Sequence, residues 1–176
     1  MIACVDVGYF AADARNPDRQ TARSAVLSIS SWDADIAVER CVVEVPDVAD
    51  YVPGQFYRRE LPCIVAALDA LAQPYDCVVV DGYVWLGNQS EPGLGAHLFE
   101  RLNRRVAVIG VAKNPFRRST FALPITRGSS DRPLYVTAAG IDVGTAGRHV
   151  ATMHGRHRMP TMLKQVDRMS RGETMG

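Results

Sequence analysis

Three acidic residues stand where their surroundings make a free carboxylate costly. Asp6 lies inside the apolar run Ile2 to Val7, Asp81 ends the strand-like run Cys77 to Val80, and Glu60 opens a helical pattern. An acid at the end of an apolar strand is expensive unless a cation or hydrogen bonds compensate it. Two such residues from strands and one from a helix suggest a shared ion. Each also has a plainer reading: Asp6 as a strand-end carboxylate, Glu60 as a first-turn residue favoured by the helix dipole, and Asp81 before Gly82 as a turn former.

The elements that must position them follow from periodicity. Ile2 to Tyr9 reads as a first strand and Asn16 to Arg23, polar with one proline, as a connecting turn. Ser24 to Ser31 and Ile36 to Val45 read as strands joined through Asp33, Ala34 and Asp35. Phe56 to Leu71 has helical spacing at Leu61, Ile64, Val65, Leu68 and Leu71, which places Pro62 in the first turn and lets Pro74 end the helix. Cys77 to Val80 predicts a central strand, Leu94 to Leu102 a helix and Arg105 to Ala112 another strand. Strands over Phe121 to Ile125 and Leu134 to Ala138 precede a helix over Val143 to Met153, and Thr161 caps a last helix with Met162, Val166 and Met169 on one face. Three antiparallel strands followed by alternating helices and strands make an α/β fold, a ribonuclease H-like mixed sheet flanked by helices.

The chain of 176 residues is expected to form a single domain over 1–176. A net charge of +1 supplies no global pull on a polyanion, so such a site must come from local clusters: Arg101, Arg104 and Arg105; Lys113, Arg117 and Arg118; and the tail from Arg148 to Arg171, where Asp167 is the lone acid against six cations. The plainer reading of these clusters is a solvated basic face. Cys4, Cys41, Cys63 and Cys77 lack any paired spacing and read as buried thiols in a reducing compartment. No signal peptide and no membrane span is expected, and the predicted location is the cytoplasm, with the protein a monomer.

The runs YVPG followed by RELP, then VVVDG, GLGAHL, VIGVAKN, PLYVTAAG and HRMPTMLKQVDRMSRG resemble endonuclease V, the deoxyinosine-directed repair nuclease, in that order over nearly the whole chain. The intervals agree as well as the words. The resemblance implies Asp6, Glu60, Asp81 and Lys113 as catalytic residues. It also implies a wedge at Tyr51, Pro53 and Gly54, and a pocket for a flipped hypoxanthine lined by Gly54, Phe56 and Gly82. The activity implied is nicking of DNA or RNA on the 3′ side of deoxyinosine or inosine. The alternative is a diverged relative that binds nucleic acid without cutting, or cuts flaps or mismatches.

Phosphodiester hydrolysis needs an in-line water, stabilisation of charge on the phosphoryl oxygens and help for the departing oxygen, much of which Mg2+, or Mn2+ in its place, supplies. Magnesium takes oxygen ligands and keeps several waters, so Asp6 and Asp81 serve as direct ligands, with Glu60 holding a ligand water or a second ion. Lys113 contacts the phosphate or leaving group as a mobile point charge. Two departures from the family pattern stand out. The run Tyr83 to Gln89 lacks the family's histidine, leaving Asn88 as a polar contact in its stead, and Asp142 either completes the metal site or caps the helix at Val143.

Overall fold

The computed structural model describes residues 1–13, 16–46, 48–49, 55–87, 91–116 and 121–173. Tyr51, Pro53, Gly54 and Asn88 lie outside the described residues. Strands β1 (Ile2–Asp13), β2 (Asn16–Ile29) and β3 (Glu39–Val45) pair antiparallel in chain order. Helix α1 (Tyr57–Asp69) then leads to β4 (Cys77–Asp81), which lies parallel to β1. A short pair, β5 (Trp85–Leu86) and β6 (Glu91–Pro92), and helix α2 (Leu94–Arg101) precede β7 (Ala107–Ala112), parallel to β4. Strands β8 (Leu123–Ile125) and β9 (Leu134–Ala139) close the sheet antiparallel, and α3 (Val143–Thr152) and α4 (Thr161–Ser170) end the described fold. The sheet order is β3-β2-β1-β4-β7-β9-β8. This is the mixed, helix-flanked sheet expected from the sequence.

Strand side chains alternate between faces. Ile2 and Cys4, Cys77 and Val79, and Ile109 and Val111 pack with the apolar stripes of α3 and α4. Ala3 and Val5, Val78 and Val80, and Val108 pack with α1 and α2 on the other face. Central strands buried on both faces explain why Cys77 to Val80 is continuously apolar.

Four local expectations are corrected. Asn16 to Arg23 is the first half of β2 and not a turn, because it pairs with β1 out to Asp13; Pro17 is accommodated because β3 pairs only with Ala22 to Ser28, leaving Pro17 no second neighbour to donate to. Pro62 falls in the second turn of α1, on an exposed position, and the helix continues through it. Thr161 is the first residue of α4 and Pro160 its cap; the Thr161 backbone N–H donates to the His154 carbonyl at 2.8 Å. Cys41 is half-buried, since edge strand β3 leaves one side open, whereas the other thiols are buried and all are free.

Candidate metal centre

Parallel pairing brings the C-terminal ends of β1, β4 and β7 together. Val5 sits opposite Val80 and Asp81 opposite Val111, so the next residues with the same facing, Asp6, Asp81 and Lys113, emerge side by side. They continue the Cys4, Val79 and Val111 face, against which α4 packs. Lys113 Nζ lies 2.8 Å from Asp81 Oδ2, both half exposed.

Helix α4 adds a residue that sequence reasoning passed over. One carboxylate oxygen from each of Asp6, Asp81 and Asp167 lies within 4.8 Å of the other two. The helix approaches because Gly8 has no side chain: a Cβ there would sit 2.4 Å from the Ser170 carbonyl oxygen. That proximity lets the Ser170 hydroxyl donate to Asp6 Oδ2 at 2.6 Å. The signal in the sequence was a lone acid in a basic segment, one position after the buried Val166 and three before the buried Ser170.

Glu60 enters from the opposite face, in the first turn of α1, where the helix dipole favours an anion. Its Oε2 is buried without a hydrogen-bond partner among the described residues. The neighbouring Arg59 is engaged elsewhere, with Gln20 Oε1 and 3.8 Å above the Tyr9 ring. Burial, then the negative charges of Asp6 and Asp81, push Glu60 up to about 8. Burial also raises Asp6; the Ser170 hydrogen bond opposes it and the charge of Asp81 adds to it. For Lys113, burial works against the charged form, but the hydrogen bond and charge of Asp81 prevail and its pKa is raised.

The donor set fits a hard divalent ion. Three carboxylates converge and a fourth is buried with an oxygen lacking a partner among the described residues; Asp6, Asp81, Lys113 and Asp167 line the polar part of a void of about 20 Å³ whose remaining wall is apolar, Val5, Val111 and Leu163 among it. Asp142 is not part of this cluster. It caps α3, accepting from the Thr145 N–H at 2.8 Å, a bond that holds its pKa down.

A cleft of about 270 Å³ adjoins Asp81 and is lined by Phe56, Tyr57, Gly82, Tyr83 and Leu86. Gly82 holds φ +134°, which demands glycine, and space for a Cβ there is empty, so the backbone is open to a close ligand. The turn beneath is fixed by Val84 N–H donating to Thr137 Oγ1 at 2.8 Å and by Trp85 Nε1 donating to the Ala138 carbonyl at 3.0 Å. His97 stacks behind Tyr57 with ring centroids 3.5 Å apart. Tyr83 couples this cleft to the lysine loop: its hydroxyl donates to the Asn114 carbonyl at 2.7 Å and accepts from the Phe116 N–H at 3.0 Å.

A family model for endonuclease V matches residues 1–132. The chain belongs to the endonuclease V family. The Streptomyces avermitilis endonuclease V is 28% identical over 187 residues, covering 95% of this chain and 77% of that protein. The Streptomyces coelicolor endonuclease V is 32% identical over 143 residues, 69% of this chain and 59% of that protein. The crystal structure of the S. avermitilis endonuclease V superposes with a TM-score of 0.73 at 28% identity, covering 97% of this chain and 79% of that one. The Ciona intestinalis endonuclease V, solved with a 24mer DNA containing an inosine followed by a ribo-adenosine, has a TM-score of 0.72 at 20% identity, covering 97% of this chain and 84% of that one, and shares the fold. The family makes the chain a nuclease by descent. Asp167 stands in the run HRMPTMLKQVDRMSRG, where it was not singled out, and lies beyond the segment that the endonuclease V model matches.

Proposed function

We propose that this protein is a metal-dependent endonuclease that nicks nucleic acid on the 3′ side of deoxyinosine or inosine, a repair activity. The observation that carries the reading is the convergence of Asp6, Asp81 and Asp167 beside the cleft containing Phe56 and Gly82. The Ciona intestinalis protein, of the same family and fold, binds inosine-containing DNA, which supports the substrate class.

Asp6, Asp81 and Asp167 would hold Mg2+, or Mn2+, with Glu60 binding a ligand water or a second ion. When bound, the ion supplies a Lewis acid for the phosphoryl oxygens and a source of activated water. The chain's residues do the rest. Ser170 fixes the orientation of Asp6, leaving its other oxygen for the ion. Glu60, ionised once a cation sits beside it, would accept a proton from water held at its carboxylate. Lys113, carried on the rigid end of β7, moves from Asp81 to a phosphoryl or leaving oxygen over a short reach. Phe56 and Tyr57 offer aromatic faces to an extruded base, and the backbone at Gly82 approaches its edge.

The test is cleavage of a labelled oligonucleotide with a single deoxyinosine, with and without Mg2+, beside an inosine-free control and the Asp81→Ala protein. Magnesium-dependent nicking at the lesion that vanishes in the variant is expected. Equal cutting of the control would remove the base-reading role of the cleft, and binding without nicking would make the protein a diverged binder.

A further inference from the structure

A second cleft, sharing no lining residue with the cleft at Gly82, adjoins the metal centre. It has a volume of about 300 Å³ and shares Lys113 and Asp167 with the centre. Its walls differ in kind from those of the cleft at Gly82. Among the described residues, that cleft is lined by aromatic, aliphatic and backbone surface around Asp81, with no cation. The second is lined by His157, Arg158 and Lys164 around a floor of Met159 and Leu163. Among the described residues, the second cleft is the one of the two with cations in its lining beyond Lys113.

The basic wall is built, not frayed. Buried Arg127 donates to the carbonyls of Ala151, Met153, Gly155, His157 and Arg158, gathering the connection between α3 and α4 around its guanidinium. Arg158 in turn donates to the carbonyls of Lys113 and, at 2.8 Å, Pro133. Its bonds go to neutral groups, so its charge is not cancelled by a carboxylate among them. Lys164 is exposed on α4 and has no acidic partner among the described residues.

Resting on the endonuclease reading, we propose that this second cleft is the subsite for the nucleotide on the far side of the scissile phosphate from the base-reading cleft. Lys164 and Arg158 would meet its backbone phosphate, while Met159 and Leu163 support its sugar or base. A strand crossing the carboxylates of Asp6, Asp81 and Asp167 meets repulsion at the centre, and a cationic wall immediately beyond offsets it where the strand leaves. The side chosen gives the strand a polarity: a 3′ nick places the lesion at Gly82 and the first downstream nucleotide at Lys164.

The experiment measures binding, in metal-free buffer, of single-stranded inosine oligonucleotides that end at the mapped nick or extend past it by one or two nucleotides, with inosine-free copies of each. Wild type is expected to bind the extended strand more tightly. Lys164→Ala should weaken the extended strand by about threefold to tenfold, leave the truncated one unchanged, and lower the salt slope for the extended strand by about 0.7. Lys164→Arg should restore both. Because Lys164 is exposed, the variant tests the contact and not the fold. An equal loss on both strands, or none on either, overturns the subsite. Loss of inosine preference with the extension effect retained would instead sink the lesion reading and leave the subsite standing.

Discussion

Replacing Glu60 with glutamine should remove a fall in stability with rising pH in the absence of metal. The carboxyl ordinarily titrates at 4.5 and is pushed up to about 8 by burial and by Asp6 and Asp81. The folded protein therefore keeps a proton between those values that the unfolded chain releases. Stability carried by the neutral acid is complete below 4.5 and declines as pH rises, by about 1.4 kcal/mol per pH unit, until Glu60 ionises near 8. From pH 4.5 to 7 the loss approaches about 3 kcal/mol, a large share of a domain's total stability. Glutamine cannot ionise, so the variant lacks this slope, apart from a constant offset for its amide. Urea unfolding of both proteins in EDTA, at half-unit steps from pH 4.5 to 8.5, should show the variant gaining on wild type at each step. Adding Mg2+ should favour the ionised acid and close the gap in wild type alone. A stability difference that stays flat across the window would refute the buried, charge-crowded Glu60.

Two further substitutions probe how α4 is held. Gly8→Ala puts a methyl group 2.4 Å from the Ser170 carbonyl oxygen, so α4 must shift; a loss of about 1–3 kcal/mol in urea unfolding and weaker Mn2+ binding by calorimetry are expected. Arg127→Ala strips donors from five backbone carbonyls and should cost more than about 3 kcal/mol, with faster hydrogen exchange confined first to residues 151–161.

The sheet was legible because its central strands are buried on both faces and its helices carry clean apolar stripes. Asn16 to Arg23 was not, since a polar strand end draws its order from pairing with β1, a partner that no local pattern reveals. Asp6, Glu60, Asp81 and Lys113 sit in recognisable words at strand and helix ends, and the fold places the first, third and fourth on one face. Asp167 lies in the run HRMPTMLKQVDRMSRG, mid-helix among basic residues, where no local pattern marks it as a ligand. It reaches the centre through helix packing made possible by the bare backbone at Gly8, a tertiary fact written in two places far apart. Asp142 shows the converse: a carboxylate with a suggestive position whose geometry is that of a helix cap.

The hydrogen bond between Ser170 and Asp6 spans 164 positions of sequence. In a chain made from its N-terminus, the sheet can pair long before α4 exists, and loop closure over that span is among the slowest steps available to it. The acidic cluster therefore needs both ends of the described fold in place. A molecule clipped before α4 would lack both Asp167 and the Ser170 hydroxyl, leaving Asp6 and Asp81 without the third carboxylate of the cluster.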